Sequence, residues 1–129
     1  MKLLLDTHIW LWSVLEPDRI GARTLWELES PANEKWFSPI SAWELLMLVS
    51  KGRMHLDLEA PEWIAQSTIR LREAPLTTRI AIESRQIRIP HQDPADRFLV
   101  ATAKVLGLTL VTADRTLLGI SEISTLANL

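Results

Sequence analysis

Short apolar runs of strand character alternate along this chain with longer stretches in which apolar residues recur at helical spacing. Leu3 to Leu5 form the first run and read as a short buried strand. His8 to Leu15, with Trp10, Leu11, Val14 and Leu15, predicts an apolar helix that stops near Pro17. Ala22 to Glu29 suits a second, short helix closed by Ser30-Pro31. Trp36-Phe37-Ser38 predicts a strand, and Ser38 or Ser41 can cap the helix that follows to Ser50, with Gly52 just past its end. Pro61 fits the first turn of a helix carrying Trp63, Ile64, Ile69 and Leu71. Ala74 to Thr77 is a weakly marked strand, Arg79 to Ile87 a helix, and Arg88 to Gln92 a loop. Asp93-Pro94 opens a helix over Ala95 to Leu106 that Gly107 ends. Thr109 to Thr112 is the clearest strand after the first, and Glu122 to Leu126 gives a last one.

Alternating strands and helices argue an α/β protein whose parallel sheet is covered on both faces. No repeat or linker interrupts the pattern, so residues 1–129 are expected to form one domain. Apolar content of 47% with 23% charged residues excludes a disordered chain. The absence of cysteine removes disulfides, zinc thiolates and thiol nucleophiles together, and agrees with a cytoplasmic setting. Lys2 is followed by only three leucines before Asp6, too few for a secretion signal, and no apolar stretch is long enough to span a membrane. A net charge of −2 argues against coating nucleic acid through an overall field, but leaves room for a nuclease in which a metal ion offsets an acidic pocket.

The chemistry lies in four acids that stand where strand gives way to helix. Asp6 ends Leu3-Leu4-Leu5, Asp114 follows Leu108 to Thr112, and Asp96 opens Phe98 to Ala101. Glu44 is the only charged residue between Lys35 and Lys51, with Ile40, Met47 and Leu48 on its helical face. In a parallel sheet all such positions fall on the carboxyl edge of the strands, where ligands bind near a switch in strand order. Helix capping explains part of the same pattern: Asp6, Asp93 and Asp114 suit N-caps, Asp96 suits the N3 position, and Glu44 fits a capping box with Ser41. Packed carboxylates, however, raise one another's pKa and cannot all ionise without a cation. Hard oxygen ligands without thiolate suit Mg²⁺ or Mn²⁺.

Around these acids stand secondary candidates. Thr7 and Thr112 can hold ligands or waters by their hydroxyls, or serve as ordinary turn and strand residues. Asp93, followed by Pro94, reads as a cap before it reads as a ligand. Arg97 and Arg115 adjoin the acids and suit either bidentate phosphate binding or a local salt bridge. His8 and His91 read as structural or surface residues. Of the six tryptophans, Trp36 and Trp43 are expected in the core. Trp10 and Trp12 cannot face the same way on one helix.

The runs Leu-Leu-Leu-Asp-Thr-His-Ile-Trp-Leu-Trp at 3–12, Ser-Pro-Ile-Ser-Ala-Trp-Glu-Leu at 38–45, His-Gln-Asp-Pro-Ala-Asp-Arg-Phe-Leu-Val-Ala-Thr-Ala at 91–103 and Leu-Val-Thr-Ala-Asp at 110–114 resemble the PIN domain. They are most similar to the VapC toxins of toxin–antitoxin pairs, and the ordered set covers essentially the whole chain. The resemblance implies a parallel sheet in the order 3-2-1-4-5 and an acidic quartet at Asp6, Glu44, Asp96 and Asp114. It also implies ribonuclease activity with Mg²⁺ or Mn²⁺, an RNA substrate, a cognate antitoxin and a homodimer. Asp6, Asp96 and Asp114 are then the expected metal ligands, while Glu44 ligates directly, through water, or orients the nucleophile. An antitoxin tail is expected along an apolar groove lined partly by the Trp10/Trp12 helix and the Trp43–Val49 helix. A phosphoacceptor receiver would need a lysine near its last strands, a haloacid-dehalogenase-like phosphatase would need Asp-x-Asp at 6–8, and a dinucleotide-binding domain would need a glycine-rich turn; none is present. A non-catalytic PIN-like interaction module is the alternative from another class.

Overall fold

The structure, a computed structural model, describes residues 1–90 and 92–129, so the expectation for His91 lies outside the described residues. The five strands are β1 (Lys2–Leu5), β2 (Glu34–Phe37), β3 (Arg72–Glu73), β4 (Thr109–Thr112) and β5 (Ser124–Ala127). Among the described residues the helices are α1 (Thr7–Leu15), α2 (Ala22–Glu29), α3 (Pro39–Ser50), α4 (Ala60–Ser67), α5 (Thr78–Gln86), α6 (Pro94–Leu106) and α7 (Arg115–Leu118). The strands join in the order β3-β2-β1-β4-β5, with every neighbouring pair parallel, as the resemblance implied.

Strand β1 is central because it is apolar on both faces. Leu3, Leu4 and Leu5 are all buried, and successive side chains point to opposite sides of the sheet. Leu4 joins Ile80, Leu99, Val100, Leu110 and Leu117 beneath α5, α6 and α7. Leu3 and Leu5 join Ile9, Trp10, Leu28, Leu45 and Trp63 beneath α1 to α4. Each fully buried leucine contributes roughly 1.5–3 kcal/mol relative to exposure. A polar replacement on β1 would therefore damage one core or the other.

Several boundaries differ from the sequence pattern, each for a local reason. Strand β3 lies at Arg72–Glu73 rather than at Ala74 to Thr77. Ala74 still donates its N–H to the Phe37 carbonyl at 2.8 Å, but Pro75 has no N–H to continue the ladder. Thr77 instead caps α5, accepting from the Ile80 amide. Helix α4 ends at Ser67, leaving Ile69 82% exposed. Ser38, not Ser41, is the cap of α3, accepting from the Ile40 amide at 3.1 Å. Strand β5 starts two residues after Glu122, and a 3₁₀ turn over Pro17–Arg19 fills the gap after α1. Trp43 is 49% exposed and so is not core, whereas Trp36 is partly buried against the α5/α6 side and Trp10 is fully enclosed. No helix among the described residues is long and apolar enough to cross a membrane.

Arg97 requires a correction of role. It is buried, and its guanidinium donates from Nε to the Ser84 carbonyl at 2.7 Å and from Nη2 to the Ile87 carbonyl at 2.8 Å. These are orphan acceptors at the C-terminal end of α5, where a cation is also favoured by the helix dipole. Arg97 thus staples α6 to α5, and it is absent from the residues that line the acidic cavity. Its replacement by methionine leaves those carbonyls buried without donors. Urea unfolding of Arg97→Met should show a loss of about 2–4 kcal/mol, and an unchanged midpoint would remove the staple from the account.

Candidate active site

The site begins at the C-terminal end of β1. The β1–β4 register places Leu5 opposite Val111, and the Asp6 amide continues the ladder to the Val111 carbonyl at 3.0 Å. The next residue of β4, Thr112, donates its hydroxyl to Asp6 Oδ2 at 2.6 Å. Asp6 Oδ1 accepts the Thr7 amide at 2.7 Å, which makes Asp6 the N-cap of α1. The Thr112 hydroxyl oxygen also accepts the Asp114 amide at 3.0 Å. One buried hydroxyl therefore ties together the chain at two of the expected acids.

Glu44 arrives from α3. The Thr7 hydroxyl donates to Glu44 Oε1, and the Ser41 hydroxyl lies 2.7 Å from Thr7 Oγ1. Thr7 has one proton and gives it to the carboxylate, so Ser41 donates to Thr7. Ser41 can take this part because Ser38 caps the helix. Asp93 caps α6, its Oδ1 accepting the Ala95 amide at 2.9 Å and the Asp96 amide at 3.3 Å. Asp114 caps α7, accepting the Thr116 amide at 2.8 Å.

Asp6, Glu44, Asp93, Asp96 and Asp114 all line one cavity of about 490 Å³, together with His8, Trp12, Arg19 and Ala113. Mutual proximity and burial shift three of these acids. Burial raises Asp6 above the usual carboxylate range, against the pull of the hydrogen bonds from Thr112 and Thr7. Burial raises Glu44 too, and repulsion from Asp93 and Asp6 adds to it, while the Thr7 hydrogen bond opposes. Asp96 is pushed up to about 7 by burial and then by Asp93, Asp6, Asp114 and Glu44 in turn. Desolvation plus like charge in a cleft is the electrostatic pattern of a functional site.

The donor set is all oxygen, which suits a hard divalent cation. Among the described residues, no group of three or more acid or histidine side chains is gathered closely enough to hold a metal ion as it stands. Repulsion between carboxylates favours such spacing, and a shared cation reverses it. The chemistry of the donor set fits such an ion.

The sequence pattern singled out most of the cavity but not all. Thr7 and Thr112 are hydrogen-bond donors to acids; neither lines the cavity of the five acids, while Thr7 lines the adjoining space beside Glu44. Asp93 is both cap and lining residue. Arg115 is exposed and outside the cavity lining. His8 is exposed and lines the cavity beside Trp12, with ring centroids 5.7 Å apart. Arg19 and Ser41 were missed as site residues. Nothing local marks Arg19, whose place follows from the path of the chain after Pro17. The second mouth of the cleft continues past Glu44 and Asp93 into a space of about 370 Å³ that includes Trp43, Lys51 and Arg53.

Where a groove was expected, the space of about 370 Å³ is lined by Thr7 and His8 of α1 and by Trp43, Met47 and Leu48 of α3. Thr7 bonds Ser41 and Glu44 directly, and Ile9 and Trp10 share a core with Leu45, so these helices pack against each other. A second, apolar groove of about 410 Å³ lies on the other flank of α1, where Val14 meets Leu25, Leu28, Ile69 and Leu71.

Residues 3–123 match the family model of the PIN domain, an interval that contains every acid of the cavity. Over 118 residues the chain is 33% identical to Ribonuclease VapC22 of Mycobacterium tuberculosis, covering 89% of this chain and 88% of that protein. In fold it is similar to VapBC2 of Rickettsia felis bound to a promoter DNA fragment, with a TM-score of 0.77, 19% identity and 98% of each chain covered. DNA-bound VapBC of Salmonella typhimurium is similar as well, with a TM-score of 0.73, 22% identity, and 100% and 99% covered. A sheet order of β3-β2-β1-β4-β5, an acidic cavity on its carboxyl edge and a match to the family model over nearly the whole length together place this chain in the PIN domain family, on its VapC-like side.

Proposed function

We propose that this protein is a Mg²⁺- or Mn²⁺-dependent endoribonuclease, the toxin of a toxin–antitoxin pair, and that it works in the cytoplasm. The observation that carries the proposal is the meeting of Asp6, Glu44, Asp96 and Asp114 in one cavity, with Asp96 raised to about 7 by the others and by burial. Its 33% identity to a protein named as a ribonuclease supports the choice of RNA.

Asp6, Asp96 and Asp114 would hold the ion. When bound, a divalent cation supplies positive charge against the scissile phosphate and makes water more acidic. The chain itself fixes the rest. Asp6 is held at both oxygens, by Thr7 and Thr112, so its orientation is set before any ligand arrives. Glu44, held by the Thr7 hydroxyl, orients the nucleophilic water or completes the ligand set. The open cleft admits a polymer, and its extension toward exposed Trp43 with Lys51 and Arg53 offers stacking and positive charge to a single strand.

The antitoxin belongs to the same proposal. The solved relatives from Rickettsia felis and Salmonella typhimurium are VapBC assemblies. The apolar groove of Val14, Leu25, Leu28, Ile69 and Leu71 suits an amphipathic segment that orders on binding. A homodimer is also part of the proposal, and light scattering of the purified chain reads it.

Asparagine caps a helix about as well as aspartate but binds cations poorly. Asp6→Asn and Asp96→Asn should therefore keep the fold while RNA cleavage with Mg²⁺ or Mn²⁺ falls by at least about 100-fold, beyond the usual cost of an outer-shell contact. Cleavage at the wild-type rate by either purified variant would leave Asp6 a helix cap and Asp96 a first-turn acid of α6, and favour a non-catalytic module.

Titration gives an independent check. Asp96 has a folded pKa raised from 3.8 to about 7, so its contribution to stability is complete below the lower value and is lost as pH rises through the upper one. The metal-free protein should thus melt at lower temperature near about pH 8 than near about pH 5, and Asp96→Asn should flatten that difference. Millimolar Mn²⁺ should raise the melting temperature, more near about pH 8 than near about pH 6, because ligation requires the carboxylate. A melting temperature indifferent to Mn²⁺ at both pH values, with cleavage that survives a chelator, would sink the metal assignment.

A further inference from the structure

We infer that Arg19 is a phosphate-binding residue for the RNA backbone, held over the acidic cavity by Trp12 and by the C-terminal residues of the chain. The inference rests on the ribonuclease reading and adds to it a substrate contact.

A polyanion approaching five carboxylates meets repulsion, and a cation at the rim offsets it. Among the described residues lining the cavity, Arg19 is the only permanent cation. Its guanidinium carbon lies 4.2 Å from the centre of the Trp12 ring. That contact engages the face of the guanidinium, whereas the N–H groups on its edge are the ones suited to bidentate phosphate contact. Arg19 pairs with Glu16 at 3.4 Å, and both side chains are more than half exposed, at 55% and 59%. Such a pair is weak and readily exchanged for a phosphate. Nor does Arg19 figure among the groups that chiefly set the protonation of Asp6, Glu44 or Asp96.

The backbone beneath Arg19 is fastened from far along the chain. The Arg19 carbonyl accepts from Asn128 Nδ2 at 2.9 Å, and Asn128 Oδ1 accepts the Gly21 amide at 2.8 Å. The Leu129 carbonyl accepts the Thr24 amide at 3.1 Å. At Gly21 the approach is so close that a Cβ would come within 1.9 Å of the Leu129 carbonyl carbon, so only glycine fits. Residues more than a hundred positions apart thus set where Arg19 stands, which is more order than a solvated surface arginine needs.

The test separates a phosphate contact from a merely structural arginine. Full-length protein carrying Asp96→Asn, which should bind without cleaving, is titrated with labelled single-stranded RNA of about a dozen nucleotides over a range of salt. Adding Arg19→Gln should weaken binding several-fold by similar factors for unrelated sequences, and reduce the slope of log K against log salt by about 0.7. Arg19→Lys should keep the slope and recover only part of the affinity. Arg85→Gln, an exposed arginine on α5, should change neither. In the cleaving protein, Arg19→Gln should raise KM. If wild type cleaves RNA but Arg19→Gln leaves slope and affinity unaltered, the Arg19 inference fails alone. A lowered melting temperature with an unaltered slope makes the residue structural and also overturns it. If wild type neither binds nor cleaves RNA, the ribonuclease reading and this inference fall together.

Discussion

The carboxyl group of Asp6 is buried at the end of the central strand, and its surroundings are arranged to make that tolerable. An ionised carboxylate out of water needs donors, and Asp6 finds them in the Thr7 amide and the Thr112 hydroxyl. The second donor depends on register. Leu5 stands opposite Val111, so Thr112 falls beside Asp6. A slip of one residue would turn Thr112 to the other face and leave the acid half-satisfied. Pairing of β1 with β4 and satisfaction of Asp6 therefore support each other. The same hydroxyl, accepting from the Asp114 amide, carries that order into the loop behind β4.

Capping and chemistry are not alternatives in this cavity. Asp6, Asp93 and Asp114 each accept amide hydrogens at a helix start, and each also lines the cleft. A cap fixes a carboxylate's rotamer, and a fixed carboxylate is what a ligand site requires. Glu44 and Asp96 occupy the other position in this economy of charge, with no capping bond among their contacts above and with pKa values raised chiefly by burial. The helices gain order from one subset of acids, and the cavity concentrates negative charge through all five. That concentration works against stability in the absence of a cation, as functional sites commonly do.

Much of this arrangement was legible along the chain. Leu3 to Leu5 and Leu108 to Thr112 are too uniformly apolar for anything but covered strands, and an acid after such a run must stand on the sheet's carboxyl edge. Pro94 and Gly107 bracket α6, and their backbone limits act locally, so that helix matched its pattern closely. Glu44 was conspicuous because charge is rare among so many apolar neighbours.

Local pattern failed wherever the direction of a side chain depended on a partner distant in sequence. Strand β3 fell at Arg72–Glu73 because β2 was there to pair with it, and Pro75 closed the ladder. Trp43 looked like core but faces solvent, since the neighbouring Leu45 already fills the space against α1. Arg97, next to a site acid in sequence, turns instead to the carbonyls ending α5. Arg19 has no neighbour that marks it, and it reaches the cavity through its stack on Trp12 and the anchoring of its loop by Asn128. The chain's own sequence determined the strands, the caps and the supply of carboxylates, because those follow from short-range periodicity and backbone limits. Tertiary structure alone decided which arginine faces the acids, because a long flexible side chain takes its direction from whatever packs beside it.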